Sequence, residues 1–327
     1  MTYAQFQSQR LQTLREQPTI LDCSEMNLYA SLARLVPVAP TTPSARVHRC
    51  DLALEWTELF GLPGNCAERA FISNGVRDSL ARLFGCYARR GHSAWIPADC
   101  YPVFQDLANA NKLEFREYVT FPRSVWPGDD GIPGPNILLA MNPLKPAGRW
   151  LTEQDVSALM RWLATNPSRR LLLDCVYTFG TRFHESTMEL VRGGQTILLH
   201  SLTKGWLRPR IFGVALVPLR DVEMLAPVFR RASPSASNLA EARFLMSACR
   251  ELPDKVASAI EAANRTLRSN ILAKYDAVEM SNSVGYFHAI HRRWSRMLAE
   301  GILGIPSAVF GSECSDITIL SSLGLDG

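Results

Sequence analysis

The sequence predicts an α/β protein: a three-layer sandwich with a mostly parallel central sheet, followed by a small α+β C-terminal domain. Short, entirely apolar runs alternate with amphipathic helical stretches between residues 69 and 218, a pattern typical of parallel strands covered by helices on both faces. The 327 residues suffice for one large domain and a smaller one. In such a fold, catalytic groups are expected at the carboxyl ends of the strands.

The N-terminal segment, residues 1–50, is predicted to be an arm that forms part of the small domain. It begins with a polar, amphipathic stretch and continues into the Pro-rich segment LVPVAPTTPSARV, which cannot be regular helix. A helix is predicted over residues 51–61, with Asp51 as its cap and Gly61 as its stop. We place the large domain in residues 51–240.

The alternating pattern follows this helix. Strands are predicted in RAFISNG, SAWIPAD, NILLAMNP, RRLLLDCVY, QTILLHS and IFGVALVP, with helices in VRDSLARLFGCYARRG, in PVFQDLANANK and from Thr152 to about Ala164. A long helix is predicted from Leu239 to Lys274, followed by strands at SVGYFHAI and DITILSS and a helix at WSRMLAEGI. Residues 241–327 are therefore assigned to a linking helix and the small C-terminal domain.

Charge and cysteine usage exclude several classes of function. The net charge of +4 is spread without a basic run, which speaks against a nucleic-acid partner. The eight cysteines form no CxxC pair, so we predict reduced thiols in a cytoplasmic protein and no metal site. No apolar run has the length of a membrane span, and no membrane partner is expected.

Polar residues follow the predicted strands in a defined order. Asp174 and Tyr177 follow one strand, and Ser201 and Lys204 follow the next. The further members of the set are Gly75, Tyr101, the segment NPLKPAG from Asn142 to Gly148, Arg208, Arg210 and Gly213. Each residue type alone is common at strand ends of α/β proteins. The ordered set is the specific signal.

Taken together, these residues resemble fold-type I pyridoxal-phosphate (PLP) enzymes, specifically the class I/II aminotransferase superfamily, such as histidinol-phosphate aminotransferase-like proteins. The resemblance covers the chain from about Ile20 to Leu323, and its most specific part is SxxK with a trailing Arg and Gly. It implies an aspartate-aminotransferase-like fold, PLP as the cofactor and a homodimer.

The resemblance assigns the cofactor chemistry to three residues. Lys204 would hold PLP as a Schiff base and move the substrate proton. Asp174 would keep the pyridine nitrogen protonated, and Tyr177 would donate to the phenolic oxygen of the ring. Tyr101 would stack on the ring face, although a plain core aromatic residue is the alternative. His200 is expected to be a buried histidine, because strand neighbours point to opposite faces.

The resemblance also implies a phosphate cradle. The phosphate would sit at the start of the helix after Gly75, facing the backbone amides of Val76 and Arg77. Ser201 and Arg210 would complete the cradle, the arginine through a charge-assisted contact. Arg208 is an alternative for that contact, Ser201 could instead be a turn cap, and Arg210 could be a surface arginine.

The sequence departs from the family pattern at several positions. Lys145 stands where the family has an asparagine that contacts the phenolic oxygen; alternatively it points to solvent, and Asn142 or Tyr177 supplies the bond. Thr318 or Ile319 stands where an arginine clamps the substrate carboxylate, and no arginine follows Arg296. The loop between Lys204 and its arginine is shortened, and the stretch around Pro37 to Pro43 has no tyrosine to reach across a dimer to the phosphate.

The leading prediction for function is a PLP-dependent aminotransferase acting on an amine or an amino-acid-derived substrate. The substrate either lacks an α-carboxylate or has it held by another arginine, such as Arg292 or Arg293. A PLP-dependent decarboxylase or elimination lyase is the first alternative, since the same cofactor supports both reactions. A non-catalytic aminotransferase-like domain is the second.

Overall fold

The fold was established from a computed structural model, which describes residues 1–36, 47–100, 102–128, 136–231, 234–275 and 284–325. Tyr101 and the Pro-rich segment around Pro37 to Pro43 lie outside the described residues, so the predictions for them stay predictions. The eight cysteines are described, and all are free thiols. Among the described residues, no helix combines the length and the apolar character needed to cross a membrane.

The described residues form eleven α-helices and twelve strands. The helices are α1 (Tyr3–Glu16), α2 (Leu28–Ser31), α3 (Arg49–Leu59), α4 (Val76–Ala88), α5 (Val103–Ala110), α6 (Glu153–Ala164), α7 (Glu185–Arg192), α8 (Val222–Arg230), α9 (Ala236–Ala248), α10 (Leu252–Asn270) and α11 (Trp294–Ala299). The strands are β1 (Leu21–Asp22), β2 (Ala70–Ser73), β3 (Ala94–Pro97), β4 (Phe115–Tyr118), β5 (Ile137–Met141), β6 (Arg170–Asp174), β7 (Thr196–Ser201), β8 (Gly213–Leu216), β9 (Phe287–Ile290), β10 (Ile302–Leu303), β11 (Ile305–Pro306) and β12 (Thr318–Ser321).

Seven strands form the central sheet, in the order β2-β8-β7-β6-β5-β3-β4. Strands β7, β6, β5, β3 and β4 run parallel, and β8 is antiparallel to both of its neighbours. Every residue of β5, β6, β7 and β8 is buried, which explains why these strands are apolar runs without alternation. The predicted α/β class with a mostly parallel sheet is confirmed.

A second, smaller unit of structure joins the two ends of the chain. Strands β11, β12 and β9 form an antiparallel sheet, and β1 near the N-terminus pairs in parallel with β10. A separate apolar cluster lies here, formed by Cys23, Leu267, Ile271, Ile290, Met297, Ile302 and Leu320. The N-terminal segment thus pairs with a C-terminal strand, and the predicted division into an N-terminal arm, a large domain and a small domain stays a prediction.

Two local predictions need correction, and one strand was not predicted. The helix predicted over residues 51–61 begins at Arg49, with His48 at its N-cap position, so Asp51 lies in its first turn. There its carboxylate still interacts favourably with the helix dipole. The long helix predicted over residues 239–274 is two helices, because α9 ends before Cys249 and α10 begins anew at Leu252. Strand β4 was not predicted, since it lies at the edge of the sheet with two of its four residues exposed.

Candidate active site

The carboxyl ends of four strands meet at one edge of the central sheet. The register pairs Ser201 at the end of β7 with Gly213 at the start of β8, and Gly213 with Ser73 at the end of β2. Asp174 at the end of β6 is paired with Met141 at the end of β5. The sheet therefore places the residues that follow β2, β5, β6 and β7 side by side, as the parallel order predicts.

Asp174 is the buried acid of this edge, with only 6% of its surface exposed. Its Oδ1 atom accepts a hydrogen bond of 2.9 Å from the backbone N–H of Val176. Burial raises the pKa of Asp174, while Lys145, the Val176 amide and Lys204 act in the opposite direction. A carboxyl group whose pKa is raised in this way can share a proton with a basic ring nitrogen of a bound ligand.

Tyr177 lies between two lysines. The Lys145 ammonium lies over the face of the Tyr177 ring, and the Lys204 ammonium is 4.8 Å from the centre of the same ring. Burial acts to raise the pKa of Tyr177, but the two cations and the hydrogen bonds of its hydroxyl outweigh it and lower that pKa to about 8. Tyr177, Lys145 and Lys204 each remain partly accessible to solvent.

The loop that carries Lys145 contacts the C-terminal part of the chain. The backbone N–H of Val284 donates to the carbonyl oxygen of Gly148, in the loop that carries Lys145. Gly148 has a φ of +68°, and a Cβ there would collide with the carbonyl oxygen of Phe287. The same C-terminal segment brings the Tyr286 hydroxyl to 3.1 Å from the Tyr177 hydroxyl.

Asn142, which the sequence predicts to bind the cofactor, has its side-chain hydrogen bonds within the protein. Its side-chain N–H groups donate to the hydroxyls of Ser186, at 2.9 Å, and Thr187, at 2.7 Å, while its side-chain oxygen accepts from the Leu151 N–H at 3.0 Å. The amide is completely buried and its donors are used within the protein. We therefore assign Asn142 to the support of the loop after β5, and Lys145 to the position that faces Tyr177.

Two glycines lie at the start of α4, where the phosphate cradle is predicted. Gly75 caps this helix with a φ of +129°, and the N–H groups of Val76 and Arg77 are among the first of its turn, which have no partner within the helix. A Cβ on Gly213 would lie 2.5 Å from the Gly75 Cα. The close approach of β8 to this turn thus requires glycine at 213. The Arg77 side chain is exposed, so only its backbone belongs to the cradle.

The two candidate phosphate arginines differ in their contacts. Arg208 forms an ion pair of 2.9 Å with Glu241, whereas the exposed Arg210 side chain has no ion pair with any described residue. Arg210 has a φ of +65°, and its carbonyl oxygen accepts from the side chain of Asn238 at 3.3 Å. Buried Ser201 accepts a hydrogen bond from the Thr203 N–H at 3.3 Å, so it also acts as a turn cap.

Sequence reasoning missed three residues at this edge. Asn238 links the cradle to Arg210, since its side chain also contacts the Asn74 side chain at 3.4 Å. Tyr286 contacts Tyr177, and the Tyr29 hydroxyl donates to the carbonyl oxygen of Thr203, beside Lys204, at 2.6 Å. All of these contacts join residues far apart in the chain. The sequence carries no local pattern that would have identified them.

The position of the expected carboxylate clamp has no arginine side chain. Thr318 and Ile319 are buried in β12, and the Thr318 hydroxyl donates to the carbonyl oxygen of Arg292 at 2.6 Å. The Arg292 guanidinium forms an ion pair with Glu300, and Arg293 is exposed. Arg292 is thus already committed to a carboxylate of the chain itself, which makes it a poor substitute clamp.

His200 is a packing residue, as expected. It is buried among Trp56, Phe60 and Phe183, and its Nδ1 accepts a hydrogen bond from the Trp56 indole N–H at 3.2 Å. Burial lowers the pKa of His200 to about 3. The imidazole is therefore neutral and is not a base of the site.

Comparison with known proteins identifies the fold. No protein-family model and no curated protein sequence matches the chain. Among solved structures, the chain is similar to a double mutant of Thermus thermophilus aspartate aminotransferase, with a TM-score of 0.71 and 17% identity over 99% of this chain and 92% of the other. An aminotransferase from Mycobacterium tuberculosis follows, with a TM-score of 0.70 and 16% identity over 98% and 91% of the two chains. An aromatic aminotransferase from Pyrococcus horikoshii has a TM-score of 0.67 and 13% identity over 93% and 90%.

Proposed function

We propose that this chain, which has the fold of the aspartate and aromatic aminotransferases, is a PLP-dependent aminotransferase in which Lys204 binds the cofactor aldehyde. The observation that carries the proposal is the meeting of Lys204, Asp174 and Tyr177 at neighbouring strand ends. An amine, a buried acid and a phenol thereby lie together at one edge of the sheet, an arrangement that packing alone does not require.

The residues present fit the chemical groups of PLP. Lys204 offers an amine to the aldehyde, Asp174 offers a carboxylate to the ring nitrogen, and Gly75 opens a helix start suited to the phosphate. Arg210 has its guanidinium available for the same phosphate. When bound, PLP supplies an electron sink for the carbanion that forms on the substrate.

The remaining roles follow from position. Asp174 holds a proton against the ring nitrogen, because its raised pKa makes the carboxyl a good partner for a shared proton. Lys204 would accept and return the substrate proton, and Lys145 would contribute positive charge to the phenolic side of the cofactor. Tyr101 lies outside the described residues, and its proposed stacking on the ring rests on the sequence alone. We further propose a cytoplasmic homodimer.

The substrate is an amine or an amino-acid derivative recognised without the usual arginine. Thr318 and Ile319 occupy the position at which the family has its carboxylate-binding arginine. Arg292 is paired with Glu300. Without a guanidinium, a free α-carboxylate has no bidentate partner at that position. Amines that lack this carboxylate are therefore favoured over common amino acids.

A PLP-dependent decarboxylase or elimination lyase is the second candidate, and the same observation favours it. The bond that breaks is the one held perpendicular to the cofactor ring. When no arginine near Thr318 binds the substrate carboxylate, the substrate can rotate. The bond to its carboxylate can then lie perpendicular to the cofactor ring.

The test is the absorbance spectrum of the purified chain with PLP, before and after addition of amines and amino acids. We expect a yellow band that is absent in Lys204→Ala and is bleached by a suitable amine donor. Release of CO₂ or ammonia with the yellow band retained would instead establish the lyase. A chain that stays colourless in excess PLP would be a non-catalytic relative, and the proposal would be wrong.

A further inference from the structure

The segment that leads into β9 is tied to the rest of the chain on both sides of Tyr286. The carbonyl oxygen of Gly285 accepts a hydrogen bond of 2.8 Å from the side chain of Asn264 in α10. The carbonyl oxygen of Tyr286 accepts one of 3.0 Å from the N–H of Ser322, which follows β12. The backbone that carries the Tyr286 side chain is therefore fixed against both the linking helix and the small sheet.

The side chain of Asn264 is itself held in one orientation. It is buried, and its oxygen lies 2.9 Å from Nε2 of His288, which is also buried. Burial lowers the pKa of His288 to about 4, so the imidazole is neutral and carries one N–H group. Because the Asn264 nitrogen donates to Gly285, the Asn264 oxygen is the acceptor, and His288 donates to it from Nε2.

The Tyr286 hydroxyl has one hydrogen-bonding partner among the described residues, the Tyr177 hydroxyl at 3.1 Å. Only 1% of Tyr286 is exposed, and a buried O–H group without an acceptor is unfavourable. Tyr177 is partly accessible, so its own O–H group can be directed to a ligand or to water. Tyr286 is therefore the donor of this hydrogen bond and Tyr177 the acceptor.

The acidities of the two phenols agree with this direction. Burial and the charge of Tyr177 raise the pKa of Tyr286 well above the ordinary range. Burial of Tyr177 is instead outweighed by Lys145 and Lys204, which lower the pKa of Tyr177 to about 8. The proton between the two oxygens therefore stays on Tyr286. Each hydroxyl has one hydrogen to donate, so the O–H group of neutral Tyr177 points away from Tyr286.

We propose that Tyr286 is a positioning residue for Tyr177: it donates to the Tyr177 oxygen and thereby leaves the Tyr177 O–H group to donate to an oxygen of a bound ligand. Asn264 and His288 are positioning residues one step further away, because they hold the segment that carries Tyr286. That the ligand oxygen is the phenolic oxygen of PLP rests on the proposed function. The contact between the two tyrosines is a property of the chain alone.

The first experiment is an ultraviolet titration of tyrosinate in the full-length chain without PLP. Tyr177 should ionise with a pKa of about 8, and this transition should be absent in Tyr177→Phe. Tyr286→Phe removes a donor to the Tyr177 oxygen while both lysines remain. The pKa of Tyr177 should then rise by about 1 pH unit, the effect of one hydrogen bond. A transition that survives Tyr177→Phe, or one that Tyr286→Phe leaves unchanged, would overturn the proposal.

A second group of variants tests the support of Tyr286. His288→Leu removes the donor to Asn264 and should shift the Tyr177 transition in the direction that Tyr286→Phe does. His288→Gln, whose Nε2 can replace that of the imidazole, should restore the transition. His291→Leu is the matched control, because His291 is exposed. Equal transitions in His288→Leu and His288→Gln would overturn the role of His288, and Tyr286→Phe, which loses only one oxygen atom, keeps the test decisive if His288→Leu does not fold.

The third experiment asks whether Tyr286 acts through Tyr177 on bound PLP. The pH midpoint of the yellow band should shift in Tyr286→Phe, in the same direction as in Tyr177→Phe. In the double variant the shift should equal that of Tyr177→Phe alone, because Tyr286 acts only through Tyr177. A further shift in the double variant would overturn the proposal and leave the proposed function intact. Absence of any yellow band would refute the proposed function, and the titration without PLP would then decide the contact between the tyrosines by itself.

Discussion

At the scale of single residues, Asp174 is a buried acid beside two lysines. The Asp174 carboxylate and the Lys145 ammonium attract each other. The pKa of Asp174 is nevertheless raised, because the effect of burial outweighs this attraction. A neutral amide of the same shape would leave the packing unchanged but remove both the charge and the proton. Replacement of Asp174 by asparagine therefore tests the chemical role of this side chain without changing its packing.

Asp174→Asn should lower turnover by about 100-fold or more, the usual contribution of a group that controls a proton in the reaction. The yellow band that depends on Lys204 should still form. The measurement is the turnover rate of each variant with the best amine donor. Asp316→Asn is the control, because Asp316 is exposed and should retain full activity. Full activity in Asp174→Asn would remove this residue from the mechanism.

The order of residues along the chain was enough to predict Lys204, Asp174 and Tyr177 as a group, and the sheet brings them together. The contacts of Asn142 could not be predicted because a motif does not show which way an amide faces, and here it faces Ser186 and Thr187. Tyr286 was missed because it lies 109 residues from Tyr177 in the chain.

At the scale of secondary structure, the closest contact of the cradle is between β8 and the start of α4. Gly213 faces the backbone of Gly75, and a Cβ there would approach the Gly75 nitrogen to 2.7 Å. The two backbones would have to separate to admit a methyl group. The phosphate site proposed for the start of α4 would move with them.

Gly213→Ala should destabilise the chain by about 1–3 kcal/mol, the usual cost of overpacking, and weaken PLP binding. Thermal unfolding and a PLP titration measure the two effects. Gly64→Ala is the matched control, because a Cβ on Gly64 meets nothing within 4 Å. If Gly213→Ala bound PLP as tightly as the unchanged chain, the cradle would not lie between these glycines.

The predicted elements were most accurate where burial is complete. Strands β5 and β6 are apolar throughout and match the predicted runs, whereas the edge strand β4 has mixed burial and offers no clear pattern. The break between α9 and α10 coincides with Pro253 at the second residue of α10. Proline is favoured in a first helical turn, so that signal was present in the sequence but was not used.

At the scale of the whole molecule, the candidate site combines distant parts of the chain. The central sheet supplies Asp174 and the turns with Tyr177 and Lys204, and the C-terminal part supplies Tyr286. The sequence predicts that strands exist, but the sheet order and the pairing of β1 with β10 depend on long-range contacts that no local pattern records. Assembly of the site therefore requires the complete fold.

The most direct test of the central claim is to reduce the chain with borohydride in the presence of PLP and to map the modified peptide by mass spectrometry. Two lysines flank Tyr177, so the result distinguishes between them. The proposed function predicts a phosphopyridoxyl group on Lys204 and none on Lys145. Modification of Lys145 instead, or of neither lysine, would contradict the assignment of Lys204 as the residue that holds the cofactor.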